Sequence, residues 1–434
     1  MGKLIIKGAF WWNDLEKKNI QFQTNHILFY QNSQEKNIIS NKSQLLKQSL
    51  SETLTRFYPL AGKVKDRFSI DCDDEGICYT EAKSNIPLCQ YLSQPDLMSL
   101  NKLMPKVTRE YELPSGSPVA LIQETAFSCG GFTIGIYVSH MVCDGTSLFL
   151  FLKDWAAATC GSATQHPFLD GESIFPQYDA FPREASPMSM LVPFSKKGKH
   201  IVKRIVFKES AIDNLKAEAS LNNSNNPTRV EVVTTFLSKF LMRAFKNETG
   251  IDKPVAVTHP LNIRRKVEPP LPECSVGNFI KLVGTVFSTK EGELSELVNQ
   301  LREAMKKWDK DFLEKIKNRE DGFFKYCDAM KEMGDLLTSP VFANGVEFVT
   351  FSSWCNFGTY DIDFGWGKPI WATCMVPFAE DSDMGRFSTV ILMDTREDKG
   401  VEAWVFLNKA AFNFMEKDTE LLQYVSIDPS PVYS

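Results

Sequence analysis

The stretch GFTIGIYVSHMVCDGTSLFLFLKDW, residues 131–155, changes from one periodicity to another. Its first half alternates, with apolar side chains at positions 132, 134, 136 and 138, which is the period of a β-strand. Its second half carries apolar residues at helical spacing, and Asp144 or Thr146 is suitably placed to cap a helix N-terminus. The stretch therefore predicts a strand that ends at His140, a turn at Asp144 and Gly145, and a helix.

His140 continues the apolar face of this strand, so its ring is predicted to point inward. An imidazole with an ordinary pKa of about 6.5 is available as a neutral proton acceptor near pH 7, which suits a general base. A buried histidine satisfied by hydrogen bonds is the alternative, because the pattern HxxxDG is weak alone. The pattern recurs at residues 166–171, HPFLDG, without the flanking strand and helix, and that copy is interpreted as a loop. Asp144 is interpreted as a helix cap.

Composition indicates a soluble globular protein of two or three domains. The chain has 434 residues, 43% hydrophobic and 24% charged, and a net charge of −5 without a basic block, which argues against a nucleic-acid partner. Ten cysteines form no CxxC pair, as is typical of free thiols in a reducing compartment. The first residues lack a signal-peptide layout, and no apolar run is long enough to span a bilayer. A cytoplasmic protein without a membrane partner is predicted.

Strands and helices mix along the chain without regular βαβ alternation, so the predicted fold class is mixed α/β (α+β) with mixed sheets. Between 161 and 198 the periodicity is lost and five prolines occur, which predicts a linker between an N-terminal domain, 1–190, and a C-terminal domain, 199–434. The pattern predicts strands at 25–30, 118–126, 201–207 and 253–263. It predicts helices at 42–57 and 293–316 and a third that begins at 228. Two hairpins are predicted, 63–74 with 76–83 and 387–393 with 401–407.

A second motif, YDIDFGWGKP, occupies residues 360–369. It matches no phosphate-binding pattern. Its glycines permit positive φ or a close backbone approach, and its aromatic residues suit a core. We interpret it as a tightly packed turn.

Taken together, the two motifs and three shorter segments resemble the plant BAHD acyltransferase family, from about residue 20 to the end. The shorter segments are FYPLAGK (57–63), LNIRR (261–265) and SVGN (275–278). HxxxDG followed far downstream by DFGWG is a specific pair, whereas either motif alone is not. The similarity is greatest to a branch that acetylates alkaloids.

The resemblance implies two similar-sized domains of the chloramphenicol-acetyltransferase type, with an active-site channel between them. It implies a cytoplasmic monomer without a bound cofactor, which transfers an acyl group, here expected to be acetyl from acetyl-CoA, to a hydroxyl of a plant specialised metabolite such as an alkaloid. In the family the motif histidine, here His140, is the base, and the motif aspartate, Asp144, next to Gly145, pairs with an arginine, here Arg264. The DFGWG residues are structural and lie away from the base; they are Asp363, Gly365, Trp366 and Gly367.

Several alternatives stay open at this stage. Within the family, the acceptor could be a sugar, a terpenoid alcohol or a phenolic compound, and the acyl donor could be larger. Cys143 could act as a covalent nucleophile, although it lacks evident cationic activation; no GxSxG supports a serine hydrolase. Two further hypotheses are a non-catalytic binding homologue and a metal site at His140 and Asp144. The oxyanion donor is also open, with Trp366 or a backbone N–H as candidates.

Overall fold

The computed structural model describes residues 2–5, 23–32, 41–66, 69–106, 115–140, 142–171, 200–220, 226–288, 292–307, 328, 331, 335, 345–374 and 387–431. Its strands are β1 Gly2–Ile5, β2 Gln23–Tyr30, β3 Lys63–Asp66, β4 Ser69–Cys72, β5 Cys78–Ser84, β6 Ala120–Phe127, β7 Phe132–Ser139, β8 His200–Phe207, β9 Val255–Asn262, β10 Ile280–Phe287, β11 Glu347–Ser353, β12 Trp371–Cys374, β13 Ser388–Asp394, β14 Val401–Asn408 and β15 Val425–Ile427. Its α-helices are α1 Lys42–Arg56, α2 Leu88–Ser93, α3 Gly145–Thr159, α4 Glu209–Ser220, α5 Arg229–Thr249, α6 Leu294–Lys306, α7 Lys409–Met415 and α8 Thr419–Tyr424.

A five-stranded mixed sheet carries the strand-to-helix stretch. Its order is β12-β2-β7-β6-β5, antiparallel except between β5 and β6. Helix α3 follows β7 and packs against α1, where the Trp155 indole donates to the Leu46 carbonyl at 3.1 Å. All eight residues of β7 are buried, which fixes the end of this strand, and hence His140, firmly in the fold.

The larger sheet has seven strands in the order β10-β9-β11-β13-β14-β8-β15 and is also mixed. The long helix α5 begins with the capping box that the sequence predicts, Thr228 with Glu231. Its apolar face packs with α6 and the buried side chains of the sheet. The hairpin of β13 and β14 is confirmed, with Asp394 opposite Val401.

The hairpin predicted from 63–74 and 76–83 is wrong. The chain already reverses between β3 and β4, which pair with each other, and β1 pairs with the other edge of β4. Strand β5 instead joins the five-stranded sheet parallel to β6, where the Tyr79 hydroxyl donates to Glu124 at 2.8 Å. The turn residues 73–76 thus connect two sheets, because turn chemistry marks a change of direction without specifying the next partner.

One strand of the second half of the chain belongs to the first sheet. Strand β12 pairs antiparallel with β2, and its Trp371 stacks on Trp404 of β14 at 6.0 Å. The buried Arg204–Glu402 ion pair lies beside these rings, with the guanidinium 5.3 Å from the Trp371 ring. The two sheets therefore share a packed contact.

The predicted mixed fold class is confirmed by both large sheets. The division into domains 1–190 and 199–434 stays a prediction, and 172–198 of the predicted linker lie outside the described residues, as do residues 308–316 of the predicted last long helix. None of the described helices combines the length and apolar character needed to cross a membrane.

Candidate active site

His140 lies in the turn immediately after β7 and is partly buried. Its backbone carbonyl accepts a hydrogen bond from Asn278 Nδ2 at 2.8 Å. Burial lowers the pKa of the imidazole, and its own backbone and the Asp144 carboxylate oppose this only in part. The ring is therefore neutral, and able to accept a proton, at neutral pH. His166 of the second HxxxDG copy is exposed in a loop.

Asp144 caps α3. Its Oδ1 accepts hydrogen bonds from the backbone N–H and the hydroxyl of Ser147, at 2.9 and 3.0 Å. Its Oδ2 accepts from the backbone N–H of Phe279 at 2.9 Å. The cap that the periodicity predicts is thus present, and it belongs to a larger buried network.

Arg264 completes this network. Its two terminal nitrogens donate to the two carboxylate oxygens of Asp144, at 2.7 and 3.0 Å, in a bidentate pair. The guanidinium also donates to the carbonyls of Ser275 and Gly277 and lies 4.9 Å from the Phe279 ring. Both oxygens of Asp144 are occupied by donors, so this carboxylate is unsuited to hold a metal ion.

The loop between β9 and β10 is bound to α3 by backbone contacts as well. Asp144 N donates to the Gly277 carbonyl at 3.2 Å, and Gly277 N donates to Ser147 Oγ at 3.0 Å. These bonds bring the SVGN segment beside His140. In the sequence this segment is recognisable only through the family resemblance, and no local pattern points to Asn278 or Ser147.

Gly145 starts α3 at a point of close contact. A Cβ on this residue would lie 2.9 Å from the Phe357 ring. The position is therefore restricted to glycine unless that ring moves, which explains why the turn after Asp144 uses it.

The DFGWG segment forms a turn closed by its own aspartate. Asp363 Oδ1 accepts from the backbone N–H groups of Gly365 and Gly367, at 2.7 and 2.9 Å. Both glycines have positive φ, +94° and +101°, which other residues rarely adopt. The buried Trp366 ring packs edge-on against Phe132 at 5.8 Å.

This turn lies far from His140. Phe132 begins β7 and His140 follows its end, so the eight residue steps from one to the other span about 27 Å at the usual rise of a strand. The hypothesis that Trp366 supplies the oxyanion donor is therefore wrong. Lys42, which lies over the Phe132 and Trp366 rings at 5.2 and 5.4 Å, adds a cation–π contact to this packing.

Comparison with known proteins agrees with this arrangement. The profile of the transferase family matches residues 13–422. Epi-neemfruitin B 7-O-acetyltransferase of Melia azedarach is 42% identical, over 94% of this chain and 91% of its own, and limonoid 7-O-acetyltransferase of Citrus sinensis is 42% identical, over 91% and 86%. The chain belongs to the BAHD acyltransferase family. It is thus an acyl-CoA-dependent O-acyltransferase.

The BAHD fold is also found by structure. The crystal structure of vinorine synthase, 27% identical in sequence, superimposes with a TM-score of 0.75 and covers 98% of each chain. The resemblance drawn from the motifs is thereby confirmed, as is the fold class.

Cys143 is a poor nucleophile for this BAHD enzyme. The residue is fully buried, and burial and the nearby Asp144 raise the pKa of its thiol. A thiol that stays protonated does not attack a thioester efficiently. Cys143 therefore does not support the covalent mechanism.

Replacing Cys143 by alanine is expected to leave most of kcat in place. Loss of the buried sulfur should cost about 1 kcal/mol of stability through the small cavity it leaves. Steady-state rates and a melt would check this, together with mass spectrometry of protein quenched during turnover. An acyl adduct on wild type that disappears in Cys143→Ala, with loss of turnover, would restore the covalent reading.

Proposed function

We propose that this enzyme transfers an acetyl group from acetyl-CoA to a hydroxyl of a limonoid-type triterpenoid, with His140 as the general base. The observation that carries the proposal is the 42% identity, over most of both chains, to two 7-O-acetyltransferases, one of them named for limonoids. The neutral, partly buried His140 supports it, because a base of this kind can accept the proton of an alcohol.

The proposed reaction needs no covalent intermediate on the enzyme. One imidazole nitrogen of His140 accepts the hydroxyl proton as the acceptor oxygen attacks the thioester carbonyl. The carbon–sulfur bond then breaks, and the imidazolium returns the proton to the departing CoA thiolate. Atoms and charge balance, and the products are the acetyl ester and free CoA. Asp144 and Arg264 take no part in the bond changes, since their polar atoms bond to each other and to the surrounding backbone.

An alkaloid hydroxyl is the second candidate acceptor. The likeness to vinorine synthase favours it, and a sequence identity of 32% to that enzyme, against 42% to the two 7-O-acetyltransferases, ranks it below the limonoid class. Sugar, other terpenoid or phenolic acceptors and larger acyl donors remain rivals within the family. The non-catalytic reading has less support, because His140, Asp144, Arg264 and the DFGWG turn are all intact. We also infer a cytoplasmic monomer with a linker at 161–198, supported by the composition and the family.

The donor is tested first by melting the purified protein with acetyl-, malonyl-, benzoyl- and hydroxycinnamoyl-CoA. A ligand at about 100 times its Kd adds roughly 2.7 kcal/mol, which for a chain of this size raises Tm by about 3 °C. We expect the shift with acetyl-CoA. Release of free CoA thiol is then measured with limonoid, alkaloid, sugar and phenolic alcohols, and we expect release with limonoid alcohols.

The outcomes separate the parts of the proposal. A shift with a larger CoA ester alone would replace the donor and keep the enzyme class. Thiol release with alkaloid alcohols alone would replace the acceptor. No shift and no release with any pair would favour the binding homologue.

A further inference from the structure

Asn278 is buried between the loop that carries it and the turn that carries His140, with 5% of its surface exposed. Its Nδ2 donates to the His140 carbonyl at 2.8 Å. Chemistry settles the orientation of the amide, because a carbonyl only accepts, so the nitrogen must face it. Its Oδ1 is buried without a hydrogen-bond partner among the described residues. The buried side chain therefore loses its hydrogen bonds to water and bonds in their place to the backbone of the proposed base.

Asp144 holds Asn278 from both sides. The residue before Asn278, Gly277, accepts from Asp144 N at 3.2 Å. The residue after it, Phe279, donates its N–H to Asp144 Oδ2 at 2.9 Å. Arg264 bonds to the same carboxylate and to the Gly277 carbonyl, at 3.3 Å for the latter. The position of the Asn278 backbone is thus set by the ion pair.

We propose that Asn278 is a positioning residue for the transfer reaction, through which the Asp144–Arg264 pair fixes the backbone at His140. This inference rests on the proposed function, in which His140 is the base. In this way the aspartate of the HxxxDG motif constrains the position of the histidine through a chain of hydrogen bonds. The Asp144 carboxylate fixes the backbone at 277–279, and the Asn278 amide then bonds to the His140 carbonyl. This chain of bonds leaves the segment after β7 at Asp144, passes through the loop between β9 and β10, and returns to the same segment at His140.

A catalytic ring needs this kind of support. His140 follows the last residue of β7, where the ladder of strand hydrogen bonds no longer holds the chain. A base has to stay within about 0.5 Å of its productive position, and the partners that orient it contribute to that precision. Loss of the amide donor removes this bond from the His140 carbonyl and, with it, one constraint on the position of the ring.

Asn278→Asp tests the proposal, because the replacement has the same shape and lacks the donor. A carboxylate oxygen facing the His140 carbonyl repels it. We expect kcat to fall about 10–100-fold, as when outer-shell partners of a catalytic group are removed, with both KM values nearly unchanged. The added anion favours the imidazolium, so the acid limb of the kcat/KM profile should move to higher pH. Asp144 and Arg264 already face this region and are the same in both proteins.

Asn262→Asp is the matched control for charge. Asn262 is the exposed last residue of β9, donates to Thr146 Oγ1 at 3.1 Å and accepts from the backbone N–H and the guanidinium of Arg264 at 3.0 and 3.3 Å, so its carboxylate would lie beside Arg264 and would make no bond to the His140 carbonyl. We expect it to move the acid limb less than Asn278→Asp does. Equal shifts in the two variants, or a wild-type kcat and acid limb in Asn278→Asp, would overturn the proposal. Asn278→Ser, which keeps a hydroxyl donor, is expected to recover part of kcat and covers the case in which the aspartate variant fails to fold.

A measurement that does not depend on turnover tests the positioning role of Asn278 separately from the proposed acetyl transfer. With histidine labelled in the imidazole ring, an NMR titration follows His140 directly, and its signal is assigned by its absence in His140→Ala. Asn278→Asp should raise the midpoint of this titration, and Asn278→Ser should broaden or shift the ring signals. If the wild type transfers no acetyl group while these changes occur, the proposed function fails and the positioning role stands. Unchanged His140 signals in both variants would refute the role whatever the activity.

Discussion

His140→Ala is expected to lower kcat by about 10²–10⁴-fold, the usual contribution of a general base. Without the imidazole, the acceptor hydroxyl has to lose its proton to water as it attacks. The fold should persist, because the bond from Asn278 goes to the His140 carbonyl, which alanine retains. Stopped assays of CoA thiol release over long times, with a melt of the same sample, would measure both effects.

The second copy of the motif offers a matched control. His166→Ala removes the histidine of HPFLDG, which is exposed in a loop. This variant is expected to keep the wild-type rate and Tm. Acetyl-CoA should still raise the Tm of His140→Ala, which shows that binding survives. If His140→Ala retained most of the wild-type kcat, the role of His140 as base would have to be abandoned.

Local features of this chain were accessible from sequence because their causes are local. The change of period between 131 and 155 predicts β7, the turn and α3, and the structure has them with Asp144 as the cap. Thr228 and Glu231 are three residues apart and form the predicted capping box. Periodicity and capping depend on residues within one or two turns, so the sequence alone contains the information.

Pairing between distant strands was not accessible in the same way. β5 has the alternation of a strand, but the pattern does not specify that it pairs with β6 and leaves β4 to β1 and β3. β12 is separated from its partner β2 by most of the chain. Such choices are decided by which apolar faces fit together in the whole fold, and a local pattern is compatible with several of them.

In the candidate site, too, local features can be predicted from the sequence and contacts between distant residues cannot. His140 stands out because its strand and helix surround it in sequence. The pairing of Asp144 with Arg264 joins residues far apart in the chain, and only the family resemblance implied it before the structure showed it. The contact of Asn278 with His140 depends on one side-chain orientation, which no period reports. The sequence does not show that Trp366 packs against Phe132, at the end of β7 opposite to His140, so by itself it leaves Trp366 as a candidate oxyanion donor.

Arg264→Met is expected to destabilise the protein by about 3–5 kcal/mol, the usual cost of leaving one partner of a buried ion pair uncompensated. Asp144 is 1% exposed and Arg264 4%, so water cannot replace the missing guanidinium without opening the loop. Asp144→Ala should lower the free energy of unfolding by a similar amount, because it leaves the buried Arg264 guanidinium without its carboxylate and removes the cap of α3. Urea unfolding monitored by tryptophan fluorescence would measure both.

A surface pair provides the comparison. Lys47 and Glu81 are 2.8 Å apart with side chains 43% and 55% exposed. Lys47→Ala is expected to change stability by less than about 1 kcal/mol, since water screens exposed pairs. The double variant Asp144→Ala/Arg264→Met should be more stable than the sum of the single losses predicts, because it leaves no unpaired charge. Strict additivity would show that the two residues are not energetically coupled.

Activity should fall with stability in the Arg264 and Asp144 variants, and the double variant tells the two effects apart. Removing both charges relieves the electrostatic penalty, yet it also removes the bonds from Asp144 to Phe279 and from Arg264 to Gly277. Stability should therefore recover in part while kcat stays low, because Asn278 is no longer held against the His140 carbonyl. If Asp144→Ala instead lowered kcat and left the melting curve unchanged, Asp144 would act in the chemistry itself, and the structural role of the ion pair would be wrong.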